Sequence, residues 1–173
     1  MTARDDEEYR ALRATIRQRG TARVCIFVAG IAAWAGLAVG TAAVTSAPVA
    51  TLLPLLVLAA AFEAVFSLHV GVERIGRYLQ VFHETADSGW EHAAMTFGRP
   101  AGAAASDPLF VVLFLLATIF NAAPMAIARP VPVELVFVGG AHALFALRLV
   151  VARIVAGRQR AIDLARFHQI KSG

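Results

Sequence analysis

VATLLPLLVLAAAFEAVFSLHVGV, residues 49–72, decides the fold. A helix needs about 20 apolar residues to cross a ~30 Å hydrocarbon core. This run has 24, with one acid, Glu63, one histidine, His69, and no Lys or Arg. It predicts a transmembrane helix. Three more runs of that kind flank it, at 24–44, 109–128 and 133–155. The first is longer than the 7–15-residue apolar core of a signal peptide. It also follows a charged segment, so it is expected to stay as a span.

The whole chain agrees with this reading. Of its 173 residues, 58% are hydrophobic and 16% charged, against roughly 45–50% and 25% in soluble domains. Mean hydropathy is +0.66. Such a composition excludes a disordered chain and argues against a soluble domain. One cysteine, Cys25, excludes an intrachain disulfide and a thiolate metal cluster. A basic pI often signals nucleic-acid binding. Here the basic residues flank apolar spans, so lipid with anionic headgroups is the expected partner, and no nucleic acid.

Charge sets the expected topology. The turn at 45–48 has no charge, and the turn between the last two spans holds only Arg129. The other 15 of the 16 basic residues precede span 1, follow span 2 or belong with the end of span 4. The positive-inside rule then places both termini and the loop 84–108 in the cytoplasm. The Arg-for-Lys bias, with abundant Ala and Gly, suggests a GC-rich genome. The expected location is thus the inner (plasma) membrane of a bacterium, crossed several times.

The expected architecture is all-α. It is an integral membrane bundle of four transmembrane helices, built as two antiparallel helical hairpins because the outer turns are short. Residues 23–157 form this domain. Residues 1–22 form a cytoplasmic amphipathic helix, with acids in its first turn, arginines in its last and Gly20 as its stop. Residues 158–173 form a basic helical tail, with Ile162, Leu164, Ala165 and Phe167 as its apolar residues. The 84–108 loop is expected to be irregular, with Trp90, Met95 and Phe97 at the interface and 101–106 as a linker. Asp107–Pro108, Pro132 with Glu134, and Pro48 mark helix starts. Pro54 and Pro124 lie inside spans and should kink or end them. Shifting the chain by 79 residues aligns span 2 with span 4, with six identities over 64–75, as a duplicated hairpin would.

The intramembrane polar groups are the handles on function. A charged side chain at the bilayer centre costs about 2.5–3.5 kcal/mol on insertion scales. Glu63 should therefore face the bundle interior and have a partner. Registering spans 2 and 4 on Arg74 and Arg153 puts it level with His142, a pair that can exchange a proton. Registering them on Pro48 and Pro132 puts it near Arg148, a structural clip. Ser67 shares its helix face. Asn121 lies at the depth of His142, and a hydrogen bond between them is expected. His69 and Glu73 form an i, i+4 pair near the interface. Ala32, Gly36 and Gly40 repeat every four residues in span 1, and span 4 adds Gly139 and Ala143. Such small-residue ridges allow close helix approach, either within one chain or towards a homo-oligomer or a larger membrane complex.

No catalytic motif stands out. HExxH, GxSxG and P-loop patterns are absent from the sequence, as is the Glu-x-x-His of di-metal bundles. No cofactor or metal is expected. The expected function is an accessory or scaffolding subunit of the inner membrane. An oligomeric proton- or cation-coupled carrier using Glu63 is the alternative, and a membrane metalloenzyme a distant one.

Overall fold

The computed structural model describes residues 3–84, 89–97, 108–128 and 130–173. Among these, all regular structure is helical. Helix α1 is Ala3–Val44, followed by a 3-10 turn at Pro48–Thr51 and by α2, Leu52–Phe82. Helices α3, α4 and α5 are Trp90–Phe97, Pro108–Ala128 and Pro132–Ser172. Among the described residues, three segments are long and apolar enough to cross a membrane: α1, the 3-10 turn with α2, and α5. Helix α4 has 21 residues, about 31 Å at 1.5 Å per residue.

Several expectations change. Gly20 does not stop the first helix, which runs unbroken for 42 residues. Both sides of Gly20 are good helix formers, and one glycine costs only about 1 kcal/mol in a helix interior. The 84–108 segment is not wholly irregular, because α3 forms within it. Pro54 lies in the first turn of α2, where no intrahelical N–H is lost. Pro124 sits inside α4. Asp107, Arg99, Arg129 and the linker 101–106 lie outside the described residues, as do the side chains of Met95 and Phe97.

The helix starts follow local chemistry. Pro48 occupies the first position of its turn, after an extended Ala47. The Ala47 N–H is held by the Thr45 hydroxyl at 3.1 Å. Pro132 opens α5, and Glu134 in its first turn accepts the Val131 N–H at 3.3 Å. That is half of a capping box.

The residues cluster into two compact units. One comprises Val24–Val65 and Asp107–Arg153, here the apolar unit. The other comprises Met1–Arg23, Phe66–Ser106 and Ile154–Gly173, here the charged unit.

The core of the apolar unit comes from α2, α4 and α5. On α2, Leu55, Leu58, Phe62 and Val65 are buried at helical spacing. Phe114, fully buried on α4, meets Phe27 at 5.8 Å and Phe62 at 5.3 Å edge-on. Phe62 in turn meets Phe145 on α5 at 6.1 Å. Four helices thus share one aromatic chain. Edge-to-face aromatic pairs of this kind each add about 0.5–1.5 kcal/mol beyond area burial.

Helix α1 packs differently and has no fully buried residue. It comes close to α2 at Gly30, where an added Cβ would collide with the Ala61 methyl. The half-buried positions Phe27, Gly30, Trp34, Ala38 and Thr41 form its inner face. Ala32, Gly36 and Gly40 are exposed on the opposite side, and nothing lies within 4 Å of a Cβ placed on either glycine. The ridge is therefore not used for packing within the apolar unit.

Candidate functional site

The polar groups of the apolar unit form two clusters. The first centres on Asn121, which is 3% exposed. Its amide nitrogen donates to the Thr51 carbonyl at 2.8 Å and to His142 Nε2 at 2.9 Å. Its oxygen accepts the Trp34 indole N–H at 3.2 Å. His142 Nδ1–H donates to the Val138 carbonyl at 2.8 Å. Each His142 nitrogen then has one role, and the tautomer is settled by its neighbours. One carboxamide joins α1, the 3-10 turn, α4 and α5, and both its ends are satisfied. A cavity of about 220 Å³ opens beside it, lined by Thr41, Thr51, Phe120, Asn121 and Pro124 among others.

The second cluster is Glu63 with Arg148. Arg148 Nη2 donates to Glu63 Oε2 at 2.8 Å. Its guanidinium also lies 5.8 Å from the Phe62 ring. The pairing follows the proline register, not the arginine one. The expectation that Glu63 faces inward is corrected: its side chain is 49% exposed and that of Arg148 39%. The inward position at that depth belongs to Phe62, and Glu63, the next residue on the helix, is turned away from the core.

Of the remaining ridge residues, Gly139 is half-buried, with Met125 at 4.0 Å from an added Cβ, and Ala143 is exposed. Neither is brought to Gly36 or Gly40.

The charged unit holds the other polar residues. Ser67 is exposed. Arg23 Nη1 donates to His69 Nδ1 at 2.9 Å, which requires that nitrogen to carry no proton. Glu73 pairs with Arg77 at 3.2 Å. Arg77 is 4% exposed and also donates to Asp163 at 2.8 Å. Gln159 donates to the second Asp163 oxygen at 2.8 Å. In the C-terminal tail the buried residue is Asp163, whereas Ile162 is exposed. Phe167 of the tail is half-buried and meets Tyr78 at 5.7 Å and Phe82 at 6.2 Å edge-on.

Helix α3 is held by acids. Glu84 accepts the Glu91 N–H at 2.8 Å, the His92 N–H at 3.1 Å and the His92 ring at 2.9 Å. A side chain six residues upstream thus caps the helix. Gly89 allows this with φ +153, and an added Cβ there would collide with the Glu84 carboxyl. Burial pushes the Glu84 carboxyl up. The two backbone N–H groups and His92 outweigh that and hold it below the usual carboxylate range. Glu91 pairs with Arg13 at 2.5 Å, tying α3 to α1. Tyr78 donates to Glu8 at 2.7 Å.

Sequence reasoning missed Trp34, Thr51, Asp163 and the capping role of Glu84. Trp34 had a signal, because an indole N–H in mid-span requires an acceptor. Asp163 had none, because its partner lies 86 residues away. Among the described residues, no three His, Cys, Asp or Glu side chains gather as metal ligands. Cys25 is exposed.

Comparison with known protein families, curated proteins and solved structures finds no match.

Proposed function

We propose that this chain is a four-span inner-membrane protein with both termini in the cytoplasm, acting as an accessory or scaffolding subunit of a membrane assembly. The observation that carries this is α1. Its apolar stretch has no buried residue, and its Ala32–Gly36–Gly40 ridge is uncovered. A small-residue ridge on an open span is suited to a second transmembrane helix. The buried polar groups of the apolar unit are occupied by each other. That suits a structural part better than a reactive one.

The test is purification from membranes in mild detergent. The parent should bring down a defined partner in fixed ratio. The variant Gly36→Leu with Gly40→Leu should lose it while accumulating normally. A parent that brings down no other protein overturns the reading, as does a partner indifferent to the ridge.

The carrier alternative needs Glu63 to exchange a proton. Glu63 is paired with Arg148 instead, and His142 is held by Asn121. Proteoliposomes of the parent and of E63Q should therefore show the same proton leak. A flux present in the parent and absent in E63Q would favour a carrier.

A further inference from the structure

The Glu63–Arg148 pair lies on the outside of the apolar unit. On α2, Leu56 and Ala60 are exposed on the face of Glu63. On α5, Leu144 and Val151 are exposed on either side of Arg148, four residues before it and three after. Leu58 and Phe62 are buried in the core. Two charges therefore stand beside exposed apolar residues on both helices. They lie well inside the 49–72 and 133–155 stretches, away from the ends where long side chains reach water. Hydrocarbon offers such a pair no hydrogen-bonding groups.

A second copy of the chain does offer them. The patch carries its negative and positive groups side by side at one depth, since the two bond at 2.8 Å. A two-fold rotation about the membrane normal keeps every residue at its depth and exchanges left and right. It sets Glu63 of one copy opposite Arg148 of the other, twice. The face is thus complementary to itself in charge and in its apolar flanks. We propose that this face of α2 and α5 is a homodimer interface, in which the two Glu63–Arg148 pairs close into one four-membered charge cluster shielded from lipid. The inference deepens the reading above by naming one partner, and it rests on the membrane placement given there.

The experiment is thiol crosslinking of the full chain in intact membranes, in a Cys25→Ala background. Leu144→Cys lies within the patch, and Val39→Cys lies on exposed α1 outside it. A short membrane-permeable bis-maleimide, which adds one thiol at each end, should give a covalent dimer with Leu144→Cys and none with Val39→Cys. Adding E63R or R148E to the Leu144→Cys chain should cut the dimer about tenfold, the change that 1.4 kcal/mol brings. Co-expressing the two variants should restore a mixed dimer, because one face then carries two arginines and the other two glutamates. A merely intramolecular clip predicts no such restoration.

If the single variants do not accumulate, the Leu144→Cys result alone decides. Absence of its dimer in a chain that resists alkaline carbonate extraction overturns the interface and leaves the membrane placement standing. Release by carbonate overturns the placement itself. A dimer indifferent to both charge variants also overturns the proposal.

Discussion

Removing the Asn121 carboxamide leaves three groups without their partner: the Trp34 N–H, the Thr51 carbonyl and His142 Nε2. Interhelical hydrogen bonds in membranes average about 0.6 kcal/mol each. Asn121→Ala should therefore destabilise the chain by about 2 kcal/mol, measured by denaturant titration in bicelles. A change within error would show that the node contributes nothing to holding the helices. The Asn121–His142 bond was legible in the sequence, since buried polar groups in spans seek one another. The partner of Glu63 was not. The two registers differ by five residues, and hydropathy does not choose between them. The structure chooses because α2 and α5 pair in the apolar unit at a separation of 85 residues, close to the proline offset and far from the shift of 79 that aligns the arginines. The small-residue ridge was legible as a motif, but not its direction. That depends on Gly30, whose contact with Ala61 turns the ridge away from α2.

Helix α3 shows what the element scale adds. Eight residues are too few for a stable isolated helix. Composition alone made this segment a loop. Its stability comes from outside, through the Glu84 cap and the Glu91–Arg13 pair. Because folding lowers the Glu84 pKa, its stabilisation is complete above the unfolded carboxylate value of about 4.3. It is lost as pH falls through the lower folded value. Amide exchange at Glu91 and His92, corrected for intrinsic rates, should accelerate in that acid window and stay flat above it. Glu84→Ala should speed it about tenfold at neutral pH, from a cap worth roughly 1–2 kcal/mol. Unchanged exchange in Glu84→Ala would mean that the cap does not hold α3. The long helices were legible by their apolar runs. Their unbroken extension through Gly20 and into the tail was not, since charged helical segments and apolar spans look like separate elements in the sequence.

At the scale of the whole molecule, the distribution of arginine predicts a sidedness. A cysteine placed at Ser46 in a Cys25→Ala chain should react with an impermeant thiol reagent added from outside intact cells. A cysteine placed at Ser172 should react only after the membrane is opened. Labelling of Ser172→Cys from outside with Ser46→Cys protected would reverse the orientation, and labelling of both from the same side would mean that α4 does not cross. Three long apolar helices are plain in both sequence and structure. The fourth span rests on α4, and the labelling pattern tests its crossing directly.

The Asn121 node also has a consequence for biogenesis. A growing chain emerges N-terminus first, so in the proposed four-span placement Trp34 and Thr51 enter the membrane before Asn121 is made, and Asn121 before His142. On that placement the first hairpin waits in lipid without the Asn121 partner of its indole N–H. Only delivery of the last helix completes the latch, which makes assembly of the apolar unit a late, concerted step and not a progressive one. Severing the chain within 98–107 keeps each hairpin whole, and the halves synthesised separately should find one another through this node.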